Sequence, residues 1–76
     1  MRETMLQILS EIRPDIDFEA EKRLVSDKLL DSFDIITIVS EFNEAFDVDI
    51  YAEDLVEENF DSVEGMLALV ESLQDA

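Results

Sequence analysis

Three stretches of apolar residues recur with the period of an α-helix, and no stretch alternates with the period of a strand. In a chain of 76 residues, near the size where one core is barely enough, this restricts the fold to a single all-α domain. The first stretch, about Arg2 to Arg13, puts Met5, Ile8, Leu9 and Ile12 on one face and Glu3, Gln7, Ser10 and Glu11 opposite. Pro14 closes it, because the residue before a proline is pushed out of the helical region. The second, Ser32 to about Phe46, gathers Ile35, Ile38, Val39, Phe42, Ala45 and Phe46 on one broad face. The last begins near Asp61 or Ser62, runs to about Gln74, and carries Val63, Met66, Leu67, Val70 and Leu73 as its stripe. A short further helix is expected over Glu53 to Glu58, with Leu55 and Val56 as its only apolar contacts. The expected architecture is a small four-helix bundle: three main helices, a short third one and a long first loop.

The connection from Pro14 to Asp31 has no sustained period and is long for a loop inside a small domain. Its scattered apolar residues, Ile16, Phe18, Leu24, Val25, Leu29 and Leu30, predict that it is pinned to the core. Asp15 and Asp17 have the spacing of calcium ligands but lack the glycine and remaining ligands of an EF-hand loop. Asp47 to Tyr51 reads as a loop that returns Val48 or Ile50 to the core. Asp61 with Glu64 resembles a capping box for the last helix. Gly65, the single glycine, sits inside that helix at a cost of up to about 1 kcal/mol relative to alanine, which close approach of another backbone would explain.

Charge and absences narrow the function. Against 21 acidic residues stand 5 basic ones, a net of -16, so nucleic acid is excluded and a partner with a basic docking patch is expected. Repulsion at that density predicts modest stability and sensitivity to salt. Without cysteine or histidine the chain has no thiol nucleophile, no thiolate metal site and no imidazole proton shuttle, so a self-sufficient hydrolase or transferase is not expected. Glu3, Gln7 and Glu11 interrupt the N-terminal apolar residues, leaving no signal-peptide core, and no run reaches membrane-spanning length. The expectation is a soluble, cytoplasmic monomer.

The most informative stretch is Leu29-Leu30-Asp31-Ser32-Phe33-Asp34-Ile35-Ile36. Asp31 suits the N-cap of the second helix and Asp34 its first turn, where the helix dipole favours negative charge. Ser32 then stands in the first turn. Phe33 and Ile36 lie off the core stripe, beside an acidic-polar face of Asp34, Thr37, Glu41 and Glu44. They read either as ordinary exposed hydrophobics or as recognition residues. The cluster Glu53, Asp54, Glu57 and Glu58 reads as a solvated face.

This stretch, the helix to Phe46, the following Asp49-Ile50, and Asn59-Phe60-Asp61-Ser62-Val63 leading into the last helix together resemble the phosphopantetheine-dependent carrier proteins: the acyl, peptidyl and D-alanyl carriers. The resemblance covers essentially the whole chain. It implies that Ser32 takes a 4′-phosphopantetheine arm from coenzyme A, transferred by a separate phosphopantetheinyl transferase, with Asp31 as the motif aspartate before it. The arm's thiol would hold cargo as a thioester, so the protein would be a non-catalytic carrier in fatty acid or secondary metabolite biosynthesis. The second helix would be the recognition helix, with Phe33 and Ile36 as apolar contacts and Asp34, Glu41 and Glu44 as acidic ones. Partners would be the transferase, an acyl- or aminoacyl-adenylating enzyme and a downstream acyltransferase or synthase. The Leu-Leu-Asp-Ser-Phe run leans toward a carrier loaded by an adenylating enzyme. Thr37 and Ser40 stand where fatty-acid carriers often have acidic and apolar residues, which points away from a standard fatty-acid synthase partnership. Lys28 stands where the family commonly has a glycine; if that glycine supplies a positive φ, lysine is strained there or the loop differs. Asp-Ser followed by an apolar residue occurs a second time, at Asp61-Ser62-Val63, where helix capping explains the serine. The competing readings are an unmodified acidic helical module that binds a basic partner surface and a metal-assisted enzyme of paired carboxylates.

Overall fold

In the computed structural model, which describes residues 1–75, the helical periods become helices where expected, and no strand occurs among the described residues. α1 spans Arg2–Ile12, α2 Ser32–Phe46, α3 Glu57–Phe60 and α4 Val63–Gln74. α1 packs against α2 and α4, and α3 lies on α4. The all-α bundle is as the periodicity predicts.

The core is built from one narrow strip of each helix. Met5 and Leu9 of α1, Ile38 and Phe42 of α2, Phe60 of α3, and Val63, Met66, Leu69 and Val70 of α4 are buried. The stripe on α2 is narrower than its sequence suggests: Ile35, Val39 and Phe46 are half-buried, and Ala45 is exposed. The stripe on α4 is wider, because that helix has α1 on one side and α3 on the other. This adds Leu69, which a single-stripe reading leaves out.

The long connection is pinned, as its apolar residues predict. Phe18, Leu24 and Leu30 are buried in the same core, with Ile16, Val25 and Leu29 packed against it. Its polar anchor is Asp61. One carboxylate oxygen accepts from the amides of Val25 and Ser26 at 2.9 and 2.8 Å, the other from the Ser26 hydroxyl at 2.7 Å. The Leu24 amide bonds the Asp61 carbonyl at 2.9 Å. Burial pushes this carboxyl up, but the Ser26 hydroxyl and the two amides outweigh it and hold Asp61 below the usual aspartate range.

Two expectations are corrected here. Asp61 does not cap α4: its side chain is taken by the loop, and Ser62 is the N-cap, accepting from the Gly65 amide at 3.1 Å. The short helix expected over Glu53 to Glu58 is split into a 3₁₀ turn, Ala52–Asp54, and α3, leaving Leu55 and Val56 outside either one, Val56 with extended backbone. Those two residues face outward, 43% and 44% exposed, because four residues of α3 can bury one large side chain and Phe60 is it. Val48 and Ile50 both return to the core, the latter held by its amide on Asn43 Oδ1 at 2.9 Å.

Two non-glycine residues adopt positive φ, Asp47 at 53° and Lys28 at 62°. Asp47 ends α2 in the left-handed conformation that aspartate tolerates. Lysine in that region costs roughly 1 kcal/mol more than glycine. The strain foreseen for Lys28 is therefore present.

Gly65 has a steric explanation. A Cβ there would lie 2.7 Å from the Glu58 carbonyl oxygen and 3.3 Å from that of Asn59. Backbone atoms of α3 cannot swing away, so Gly65→Ala should lose about 1–2 kcal/mol of stability in urea unfolding despite the better helix former. Glu64 links three parts of the chain, accepting from Lys22 at 2.6 Å and Arg2 at 3.0 Å. Those two cations bring its carboxyl from the ordinary 4.5 down to about 2. A depressed acid stabilises the fold above its unfolded pKa and loses that contribution as pH falls through the folded value. Glu64→Gln should therefore lower the melting temperature at pH 7, with the gap to the parent closing as pH falls from about 4.5 toward 2.

Candidate functional site

The site forms at the start of α2. Asp31 has extended backbone (φ -98°, ψ 179°), and its carboxylate accepts from the Asp34 amide at 2.9 Å. The Asp34 carboxylate reaches back to the Asp31 amide at 3.4 Å, completing a reciprocal capping box. Arg13 braces this box from the far end of the loop. Its Nη1 donates to Asp34 Oδ2 at 2.7 Å and to the Leu29 carbonyl at 2.9 Å, while Nε and Nη2 hold both oxygens of Asp15. The hydrogen bonds it donates to Asp15 and then Asp34 keep the guanidinium above its ordinary range, and Arg13 in turn holds Asp15 below its own.

The first turn of α2 is thus clamped, and Ser32 sits in it with its side chain unused. Ser10, Ser26 and Ser72 donate to acceptors of the chain and Ser62 caps α4, whereas Ser32 is exposed and makes no side-chain hydrogen bond among the described residues. Ser40 is similarly exposed and unbonded, but it lies in mid-helix. A helix start leaves the amides of Ser32 and Phe33 without intrahelical acceptors, so an anion on the Ser32 hydroxyl has donors beside it.

Beside Ser32 opens an apolar cleft of about 320 Å³. Val25, Ile35 and Ile36 line one part, Leu55, Val56 and Phe60 another, and Ser32 and Glu57 are its polar members. The Ser26 hydroxyl, already on Asp61, also contacts the Glu57 carboxylate and so ties the loop to α3 at this cleft. A more open depression of about 390 Å³ lies elsewhere, where Leu6 and Ser10 meet Phe18, and includes none of the Ser32 residues.

The residues singled out in the sequence divide into two groups. Phe33 and Ile36 are 79% and 65% exposed, off the core stripe as expected. Glu41 and Glu44 are exposed and make no ion pair among the described residues. Asp34 differs: its side chain is 17% exposed and its charge is met by Arg13, so it braces the cap. Sequence reasoning missed Arg13, whose partners lie up to 21 positions away, and Leu55, Val56 and Tyr51 (60% exposed) as members of the exposed apolar surface. The missed signal was the failure of Leu55 and Val56 to join any helical stripe.

Comparison with known protein families, curated proteins and solved structures finds no match. Among the described residues no group of three or more acidic residues converges as a metal site, and no helix is long and apolar enough to cross a membrane.

Replacing Arg13 tests the clamp. Arg13→Gln should lower the urea midpoint of unfolding, because Asp34 and the Leu29 carbonyl lose their donor. Amide exchange should quicken in the first turn of α2 and not in the middle of α4, as read by NMR.

Proposed function

We propose that this protein is a carrier whose Ser32 hydroxyl bears a 4′-phosphopantetheine arm received from coenzyme A. The observation that carries the reading is an exposed, unbonded hydroxyl held in a clamped helix start at the edge of an apolar cleft. The residues fit the group. Ser32 Oγ is accessible for esterification, the free amides of Ser32 and Phe33 favour a phosphodiester, and the cleft offers apolar surface next to the attachment point.

Loading requires the Ser32 oxygen to form a bond to phosphorus as the phosphorus–oxygen bond to adenosine 3′,5′-bisphosphate breaks. The hydroxyl proton passes to a base on the transferase. The arm, when bound, supplies a thiol that carries cargo as a thioester. Asp31 and Arg13 keep the attachment turn in place. Phe33 and Ile36 give partner enzymes apolar contact, while Glu41 and Glu44 attract basic docking patches. Asp34, neutralised by Arg13, contributes to the site by fixing the cap. The partners would be the transferase, an adenylating enzyme and a downstream acyltransferase or synthase, and the setting cytoplasmic.

Incubation with coenzyme A and a broad-specificity phosphopantetheinyl transferase should add the mass of one arm to the parent protein and none to Ser32→Ala. A parent that stays unmodified, with partner binding that survives Ser32→Ala and is lost in Glu41→Lys/Glu44→Lys, would instead establish an unmodified acidic interaction module.

A further inference from the structure

Of the five basic residues, four are neutralised within the fold. Arg2 and Lys22 both hold Glu64, Arg13 holds Asp15 and Asp34, and Arg23 holds Asp27 at 3.2 Å. Among the described residues Lys28 alone has no carboxylate oxygen within 4.0 Å of its ammonium. The residue is exposed, and its backbone is fixed. At φ 62° its amide closes a turn onto the Val25 carbonyl at 3.0 Å, and the Leu30 amide returns to the Leu24 carbonyl at 2.9 Å.

That turn is joined to the Ser32 site. The carbonyl of the next residue, Leu29, is held by the same Arg13 that grips Asp34 in the first turn of α2. Four residues of fully extended chain span at most about 14 Å, which bounds the distance between the Lys28 and Ser32 backbones. The bound lies inside the roughly 30 Å screening length of 10 mM salt and far outside the roughly 3 Å of 1 M salt. Other charges in this region oppose an incoming anion. Asp31 has no cation partner among the described residues, Glu57 lines the cleft, and Asp17 and Glu21 share a surface depression with Lys28.

We infer that Lys28 is a specificity-determining residue for the loading of Ser32, attracting the phosphates of coenzyme A and then balancing the phosphodiester that Ser32 bears. This rests on the carrier reading of Ser32. A glycine would satisfy the turn without strain, and lysine adds to it a positive charge that forms no ion pair among the described residues.

The test compares the side-chain NMR signals of the lysines in unloaded and enzymatically loaded protein at pH 7, with Lys22, anchored on Glu64, as the internal control. In 10 mM salt the Lys28 side-chain signals should shift on loading while those of Lys22 stay in place, and 1 M salt should abolish the shift. Loading of Lys28→Gly should be about threefold slower in 10 mM salt and equal to the parent in 1 M salt. Its melting temperature should rise, since glycine relieves the left-handed backbone; a purely structural role would move stability and loading together. A loaded parent whose Lys28 signals do not move overturns the inference and leaves the carrier reading intact. In that case a slower Lys28→Gly would mean that Lys28 meets the transferase rather than the arm. A parent that cannot be loaded removes both.

Discussion

Cations are scarce in this chain, and where they are placed decides how its segments are held. With 21 acids and 5 bases, each ion pair relieves part of a large repulsion, and an exposed pair between neighbours on one helix contributes little. Most of these pairs instead join distant segments. Arg2 and Lys22 converge on Glu64, bringing the first turn of α1 and the loop to the start of α4. Arg13 joins the end of α1, the loop carbonyl of Leu29 and the cap of α2 through one guanidinium. Arginine suits that position because its planar fork donates in several fixed directions at once. A lysine there could not span Asp15, Leu29 and Asp34 with the same geometry.

The cleft beside Ser32 follows from the brevity of α3. A helix of four residues has one side chain to commit to a core, and Phe60 is committed against α4. Gly65 lets α3 approach α4 closely enough for its carbonyls to touch that helix's backbone. The side toward α2 is left as the cleft that Val25, Ile35, Ile36, Leu55, Val56 and Phe60 line with apolar atoms. The contact of Ser26 with Glu57 ties this gap to the loop without filling it with apolar atoms. An apolar cleft therefore persists where the helix carrying Ser32 begins.

The helices were legible because their signal is local. A stripe at i, i+3, i+4 and i+7 depends on one segment, and so do Asp31 as cap and Phe33 and Ile36 as outliers from the stripe. What the sequence concealed depends on partners far along the chain. Asp61 and Ser62 both suit the N-cap of α4, and local chemistry does not choose between them. The choice falls to Ser62 because the amides of Val25 and Ser26, 36 and 35 positions earlier, claim the aspartate. Asp34 looked like one more exposed acid until Arg13, 21 positions earlier, was found on it. The short helix failed for the complementary reason: with no stripe to hold it, Leu55 and Val56 took the path set by the packing of Phe60.

A chain without histidine or cysteine that nevertheless presents one serine so carefully invites the question of what rigidity is for. A nucleophile activated from within needs a base beside it, and the neighbours of Ser32 are a capping carboxylate occupied by an amide and another occupied by an arginine. The clamp instead bears on position: its hydrogen bonds hold a first turn of the kind that commonly frays at a helix end. On the proposed carrier reading, fixed position matters because a separate enzyme would supply the base and find the hydroxyl by docking on surface features such as Phe33, Ile36, Glu41 and Glu44. The order enforced by Arg13 and Asp31 thus shifts the cost of alignment from each encounter to the folding of the chain.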